Sequence, residues 1–310
     1  MQLIRGISCL SHPVPHPVVT IGNFDGVHLG HQKIIQVAIE QAKSKQGQCV
    51  GYTFRPHPLA VLQPTHPPQL ISTYEEKIQI LSRLGVDLMI EESFSQDFSS
   101  IEPNEFFQQF LMDRLKAESI VVGYDFVFGK QRHGDLKVLE AFCKTSGVDL
   151  LVVSAQKIDG EVVSSSKIRK YLFAGEIEAA NQFLGRQFSY QGVVIHGEGR
   201  GKMIGFPTAN FNLEDKLVLP FGVYATLTVI HEVEYLSVTH IGIRPTFQKD
   251  GQPAPICVET FLLDQKMDLY GTCLEVRFFS RIREERKFSQ IQDLQEQIKK
   301  DIELTRIRLS

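Results

Sequence analysis

Residues 18–31 read VVTIGNFDGVHLGH, from Val18 to His31, and their pattern decides the fold of the first half of the chain. Val18, Val19 and Ile21 form a short β-branched apolar run, as a strand covered on both faces shows. Gly22, Asn23, Asp25 and Gly26 interrupt it with turn residues. From Leu29 the period changes, and Ile34, Ile35, Val37, Ala38, Ile39 and Ala42 lay an apolar stripe at helical spacing. His28 and His31 share a face at the start of that helix. A helix start carries unbonded N–H groups and a partial positive charge, which suits an anion such as phosphate. Two histidines there either donate to that anion or are ordinary helix-surface residues.

Outward from this unit, strands alternate with helices. Strand-like runs fall at 49–54, 86–90, 119–122 and 149–153. Helical patterns fall at 103–116 and 136–146, and another runs to Leu84 behind a Ser72 or Thr73 cap. This alternation predicts a doubly wound parallel sheet, whose ligands bind beyond the carboxyl ends of strands. Residues 22–25, 55–58 and 123–129 sit at those ends. A further helix is expected from Ser164 to about Leu184, closed by Gly185-Arg186. The runs at 188–195, 223–230, 235–241, 257–262 and 274–279 then follow one another with only turns between them. They predict an antiparallel barrel or sandwich, with helical spacing returning at 291–307. The expected domains are 1–186 and 187–310.

With 310 residues the chain can bury two cores. A formal charge of −3 argues against a general nucleic-acid binder. No apolar run reaches the roughly 18 residues that span a membrane, and residues 1–15 lack a secretory pattern. Cys9, Cys49, Cys143, Cys257 and Cys273 are unpatterned, which fits reduced thiols in a cytoplasm. The sequence sets no oligomeric state.

The string G-N-F-D-G-V-H-L-G-H resembles the G-x-F-D-x-x-H-x-G-H motif of the nucleotidyltransferase superfamily. By that resemblance His28 and His31 contact ATP phosphates, and Gly22, Phe24, Asp25 and Gly26 belong to the ATP site. Val163-Ser164-Ser165-Ser166-Lys167-Ile168-Arg169 is similar to the second motif, I-S-S-T-x-I-R, with Ser166 where threonine is usual. It implies Ser165 and Ser166 at the nucleotide and Arg169 on its β- and γ-phosphates. Residues 122–135, VGYDFVFGKQRHGD, resemble a segment of prokaryotic FAD synthetases that lies along FMN and adenine. Asp125, Phe126 and Phe128 are thereby expected contacts, although either phenylalanine could be core. Residues 53–58, TFRPHP, resemble T-F-[DE]-P-H-P, with Arg55 reversing the usual charge.

In the second half, residues 197–210 read GEGRGKMIGFPTAN. Four glycines permit a loop that wraps phosphate, with Arg200 and Lys202 adding positive charge. The string resembles the G-x-x-x-G-F-P-T-A-N motif of riboflavin kinases, and residues 221–225, 242–247, 258–264, 268–271 and 282–288 match that family in order. The resemblance implies Gly201, Lys202, Gly205 and Pro207 at ATP, Thr208 and Asn210 at Mg²⁺, and Glu259 as general base. By its alternation alone Glu259 could instead face solvent. Arg283 is either a flavin contact or one half of a surface ion pair. Both resemblances together imply a prokaryotic bifunctional riboflavin kinase and FMN adenylyltransferase. Its substrates would be riboflavin, FMN and ATP, its products FMN, FAD and pyrophosphate, and its metal Mg²⁺.

Overall fold

The computed structural model describes residues 1–197, 199–213, 215–243, 256–265 and 267–309. By internal contacts the chain divides into Met1–Ser165 and Ser166–Ser310.

The first unit is built on six strands: β1 (Gln2–Arg5), β2 (Val18–Ile21), β3 (Cys49–Arg55), β4 (Leu88–Ser93), β5 (Ser119–Gly123) and β6 (Asp149–Val153). Their order is β1-β4-β3-β2-β5-β6, and every pairing is parallel. Side chains alternate between the two faces. Val19, Ile21, Ile120 and Val122 join one apolar cluster with Leu139 and Cys143 of the helix Leu136–Ser146. Val18 and Val121 join another, with Ile35, Ala38 and Ile39 of the helix Leu29–Ser44. Both faces are therefore covered, as the apolar run in β2 requires. The chain leaves β2 toward β3 on one side while β5 lies on the other. That change of direction opens a crevice beyond the carboxyl ends of β2 and β5. A short ribbon of β7 (Lys157–Ile158) and β8 (Glu161–Val162) precedes Ser165.

The second unit holds β9 (Phe188–Val193), β10 (Ala209–Asn212), β11 (Gly222–Ile230), β12 (Val233–Ile243), β13 (Ile256–Leu262) and β14 (Cys273–Glu284). They form one antiparallel sheet in the order β10-β13-β12-β11-β14-β9. A bridge between Ile195 and Asn210 brings its ends together as a nearly closed barrel. Thr226, Thr228, Ser237, Thr239 and Thr260 are all buried and hydrogen-bond to one another across β11, β12 and β13. Satisfied in this way, polar groups stiffen a core instead of weakening it. The last helix, Ile291–Leu309, packs Ile302 against Val223, Val238 and Leu263.

Several expectations are corrected. The helix expected over 164–184 is two, Ser165–Ala174 and Ile177–Leu184, because Gly175 takes a left-handed φ of 78° between them. The helix expected over 103–116 is a turn at Pro103–Glu105 followed by a π-wound segment, Phe106–Arg114. β1 was not foreseen, since a four-residue edge strand with one buried side chain carries no periodic signal. Nor was β10, which lies inside what reads as the glycine-rich loop.

Candidate active sites

In the first unit, His28 is the N-cap of the helix Leu29–Ser44, and its Nδ1 accepts from the His31 backbone N–H at 3.3 Å. An accepting Nδ1 leaves the proton of the neutral ring on Nε2, so Nε2–H is the donor His28 can present. The two imidazoles stack with centroids 3.6 Å apart, and Phe24 stands edge-on to His31 at 5.4 Å. Phe24 is buried, so its ring supports His31 from the core side. Asp25 is also buried, and its carboxylate accepts from the backbone N–H groups of Ile71 (3.0 Å) and Ser72 (3.3 Å). Ser72 Oγ accepts in turn from Gly26 N–H at 3.1 Å. At Gly26, with φ of 76°, a Cβ would press on Ile71 at 2.8 Å, so only glycine closes this turn. Gly22 extends β2 by donating to the Tyr52 carbonyl at 3.0 Å. Ser165 Oγ donates to the Asp25 carbonyl at 3.0 Å. The two nucleotide motifs, far apart in sequence, are thereby joined at one point. Ser166 is exposed and Arg169 half-buried on the helix that Ser165 opens.

Beyond β5, Asp125 is exposed, Phe126 half-buried and Phe128 buried. Phe126 and Phe128 stack at 5.5 Å, and Phe128 packs on Phe106 at 6.0 Å. Phe128 is therefore the core member of the pair, and Phe126 with Asp125 forms the accessible edge. Arg55 lies over the Tyr74 ring at 4.4 Å and pairs with Glu75 (3.2 Å) and the buried Glu91 (3.8 Å). The reversed charge is thus locally balanced.

Sequence reasoning missed Lys77. It is 4% exposed and donates to the Asn23 carbonyl (3.3 Å) and Thr53 Oγ1 (3.0 Å). Burial lowers its pKa to about 8, against the opposing pull of Glu91 and Asp25. The available signal was a lysine one helical turn before Leu81, on the buried stripe of the helix Tyr74–Leu84.

In the second unit, the stretch expected as a loop begins with a helical turn, Arg200–Met203, that carries Gly201 and Lys202, while Gly205 and Pro207 lie on the connection from it to β10; Lys202, Gly205 and Pro207 are exposed. A Cβ at Gly201 would strike the Phe206 carbonyl oxygen, whose residue donates its own N–H back to Gly201 O at 2.8 Å. Asn210 donates through Nδ2 to the Thr208 carbonyl (3.0 Å) and Oγ1 (3.2 Å), which assigns its Oδ1 as the acceptor. Glu259 stands opposite Asn210 on β10 and opposite His240 on β12. It is half-buried, and the Cys257 thiol lies 3.8 Å from its Oε1 and 3.6 Å from Asn210 Oδ1. Asn210 on β10 and Glu259 on β13 thus stand side by side, with Thr208 just before β10. Arg283 lies on β14, where its guanidinium grips Asp301 of the last helix through Nε (3.0 Å) and Nη2 (2.9 Å). The ion pair is real, but its partner is a buried acid. Residues 244–247 of the matched segments, and the side chain of Arg200, lie outside the described residues.

The FAD synthetase family model matches residues 12–167, and the riboflavin kinase family model matches residues 184–309. The bifunctional riboflavin kinase/FMN adenylyltransferase of Bacillus subtilis (strain 168) is 37% identical over 286 residues, covering 92% of this chain and 90% of the relative. The chain belongs to this bifunctional family. The Escherichia coli (strain K12) member is 34% identical over 307 residues, covering 98% of this chain and 96% of its own. Among solved structures, a Streptococcus pneumoniae protein described as a macrolide-efflux protein superposes with a TM-score of 0.89 at 30% identity, covering 99% of both chains. Among the described residues no helix is long and apolar enough to cross a membrane.

Proposed function

We infer that this chain phosphorylates riboflavin with ATP to give FMN, then adenylylates FMN with a second ATP to give FAD and pyrophosphate. The observation that carries the reading is the pair of separate constellations within one chain of this family. His28, His31 and Ser165 gather around the Asp25 turn, and Thr208, Asn210 and Glu259 around β10 and β13. Adenylyl transfer attacks an α-phosphorus and kinase transfer a γ-phosphorus, so two ATP sites are required. The first activity is assigned to residues 187–310 and the second to residues 1–186.

In the kinase, the riboflavin 5′-hydroxyl oxygen attacks the γ-phosphorus, ADP leaves, and the hydroxyl proton passes to the Glu259 carboxylate. Gly201, Lys202, Gly205 and Pro207 shape the loop over the ATP phosphates. Thr208 Oγ1 and Asn210 Oδ1 fit Mg²⁺, because both are hard neutral oxygens and a hydroxyl that accepts from the Asn210 amide nitrogen keeps a second lone pair. Bound there, the ion would offset charge on the transferred phosphoryl group.

In the adenylyltransferase, an FMN phosphate oxygen attacks the α-phosphorus of ATP and pyrophosphate departs. This reaction needs placement and charge stabilisation more than a strong base. His28 and His31 supply donors at a helix N-terminus. Gly22, Phe24, Asp25 and Gly26 form the turn beneath the nucleotide, and Ser165, Ser166 and Arg169 take its phosphates. Asp125 and Phe126 form the accessible wall for flavin or adenine, with Phe128 packed behind Phe126. The five cysteines form no disulfide with one another, in keeping with a reducing cytoplasm.

A time course with riboflavin, ATP and Mg²⁺, resolving both flavins, tests the reading. FMN should rise first and FAD follow. FMN without any FAD would remove the second activity, and no product would remove both.

A further inference from the structure

We propose that Lys77 is a positioning residue for FMN adenylylation, its buried ammonium fastening the turn after β2 to the end of β3. The proposal rests on the assignment of that reaction to the His28–His31 site.

The geometry carries it. Lys77 Nζ reaches the Asn23 carbonyl at 3.3 Å and Thr53 Oγ1 at 3.0 Å. Asn23 belongs to the turn that presents Gly22 and Gly26 and leads into His28. Thr53 belongs to β3, the neighbour of β2 in the sheet. Thr53 Oγ1 also donates to the Asn23 carbonyl at 3.3 Å, so the turn and β3 meet in one cluster that the ammonium completes from a third element, the helix Tyr74–Leu84. An ammonium has three N–H donors and no acceptor, so it binds both oxygens without depending on which way a hydroxyl rotates. The charged groups around it are Glu91 on β4, Asp25 in the turn and Arg55 on β3, with Tyr74 on its own helix 5.1 Å away by ring centroid.

Burial works against the charge on this residue. Its folded pKa, about 8, lies below the 10.5 of the unfolded chain. Between these values the unfolded state holds more protons, so stability rises as the pH rises from 8 to 10.5. Below 8 the buried charge is a standing cost to the fold. A buried ammonium bonded to the turn after β2 and to β3, at the carboxyl ends of those strands, is placed to position them. With the ammonium deprotonated, the amine still donates but loses the charge-assisted strength of its bond to the Asn23 carbonyl. The turn then loosens.

The test uses the full chain as wild type, Lys77→Met and His28→Ala. FAD formation from supplied FMN is measured with FMN formation from riboflavin as the internal control, together with thermal melting at pH 7. Lys77→Met should lose about ten- to a hundredfold in kcat/KM for FAD formation, as a small misplacement of reacting groups does. It should keep FMN formation. The wild-type kcat/KM for FAD formation should fall as pH rises through about 8, and Lys77→Met should lack that limb. Unchanged FAD kinetics in Lys77→Met, beside loss in His28→Ala, would overturn the role of Lys77 alone. A lower melt with the alkaline limb retained would reduce Lys77 to a structural strut. Full FAD synthesis by His28→Ala would instead remove the assignment of the site. Should Lys77→Met fail to fold, the wild-type limb decides, its presence supporting the proposal and its absence overturning it.

Discussion

Ser165 Oγ donates to the backbone carbonyl of Asp25 at 3.0 Å, across 140 residues of sequence. The bond joins the first turn of the helix Ser165–Ala174 to the turn that leads into His28. One neutral hydrogen bond contributes about 1 kcal/mol, or about fivefold in rate if it acts fully in the transition state. Ser165→Ala should therefore lower kcat/KM for FAD formation by about that factor while FMN formation stays constant. Steady-state assays of both half-reactions on one preparation check it.

Asp25 carries more. Its carboxylate accepts from the Ile71 and Ser72 N–H groups, in the connection just before the helix Tyr74–Leu84. Asp25→Ala leaves those buried donors without their acceptor, at a cost of about 1.5–3 kcal/mol each. Denaturant unfolding should show a first unit markedly less stable. FAD synthesis should fall more steeply than in Ser165→Ala, because the turn itself is lost.

Much of this was legible in the sequence, for physical reasons. β2 carries apolar residues on both faces, Val18 on one and Val19 with Ile21 on the other, because both faces of a parallel sheet are covered, and a glycine turn before a helix leaves few other foldings. Thr73 caps its helix in a reciprocal pair with Glu76, a signal local enough to read directly. What stayed hidden depends on tertiary partners. Lys77 and Asp301 look like surface charges until Asn23, Thr53 and Arg283 are brought to them. Phe126 and Phe128 are chemically alike, and only packing on Phe106 separates the core ring from the accessible one. β10 hides in a loop-like string, because its pairing with β13 supplies what its own residues do not.

The thiols separate by environment. Burial raises the Cys49 thiol to about 12 and the Cys143 thiol to about 11, so neither forms appreciable thiolate at pH 8. Cys9 and Cys273 are exposed. Brief iodoacetamide treatment at pH 8, read by peptide mass, should label Cys9 and Cys273 and spare Cys49 and Cys143 until denaturant is added.

Glu259 is separable from the first unit by assay. Glu259→Ala removes the proposed proton acceptor and should cut FMN formation by about 10²- to 10⁴-fold. FAD formation from supplied FMN should persist. Glu259→Gln, which keeps the shape and loses the charge, should be similarly impaired. If Glu259→Gln kept full FMN formation, the carboxylate would be no base.

Arg283 presents two roles that one experiment can divide. Its guanidinium is committed to Asp301, whose carboxylate is 2% exposed and also accepts from Gln297 at 2.9 Å. Arg283→Met alone leaves that carboxylate buried without its cation, at a cost of about 3–5 kcal/mol, so a rise in riboflavin KM would be confounded with unfolding. The double variant Arg283→Met, Asp301→Leu replaces the pair by apolar groups and should restore most of the stability. If Arg283 also touches flavin, the restored protein should still show a raised KM for riboflavin. If the KM returns with the stability, Arg283 serves only to seat the last helix against β14. Melting curves and riboflavin saturation on the three variants distinguish the two.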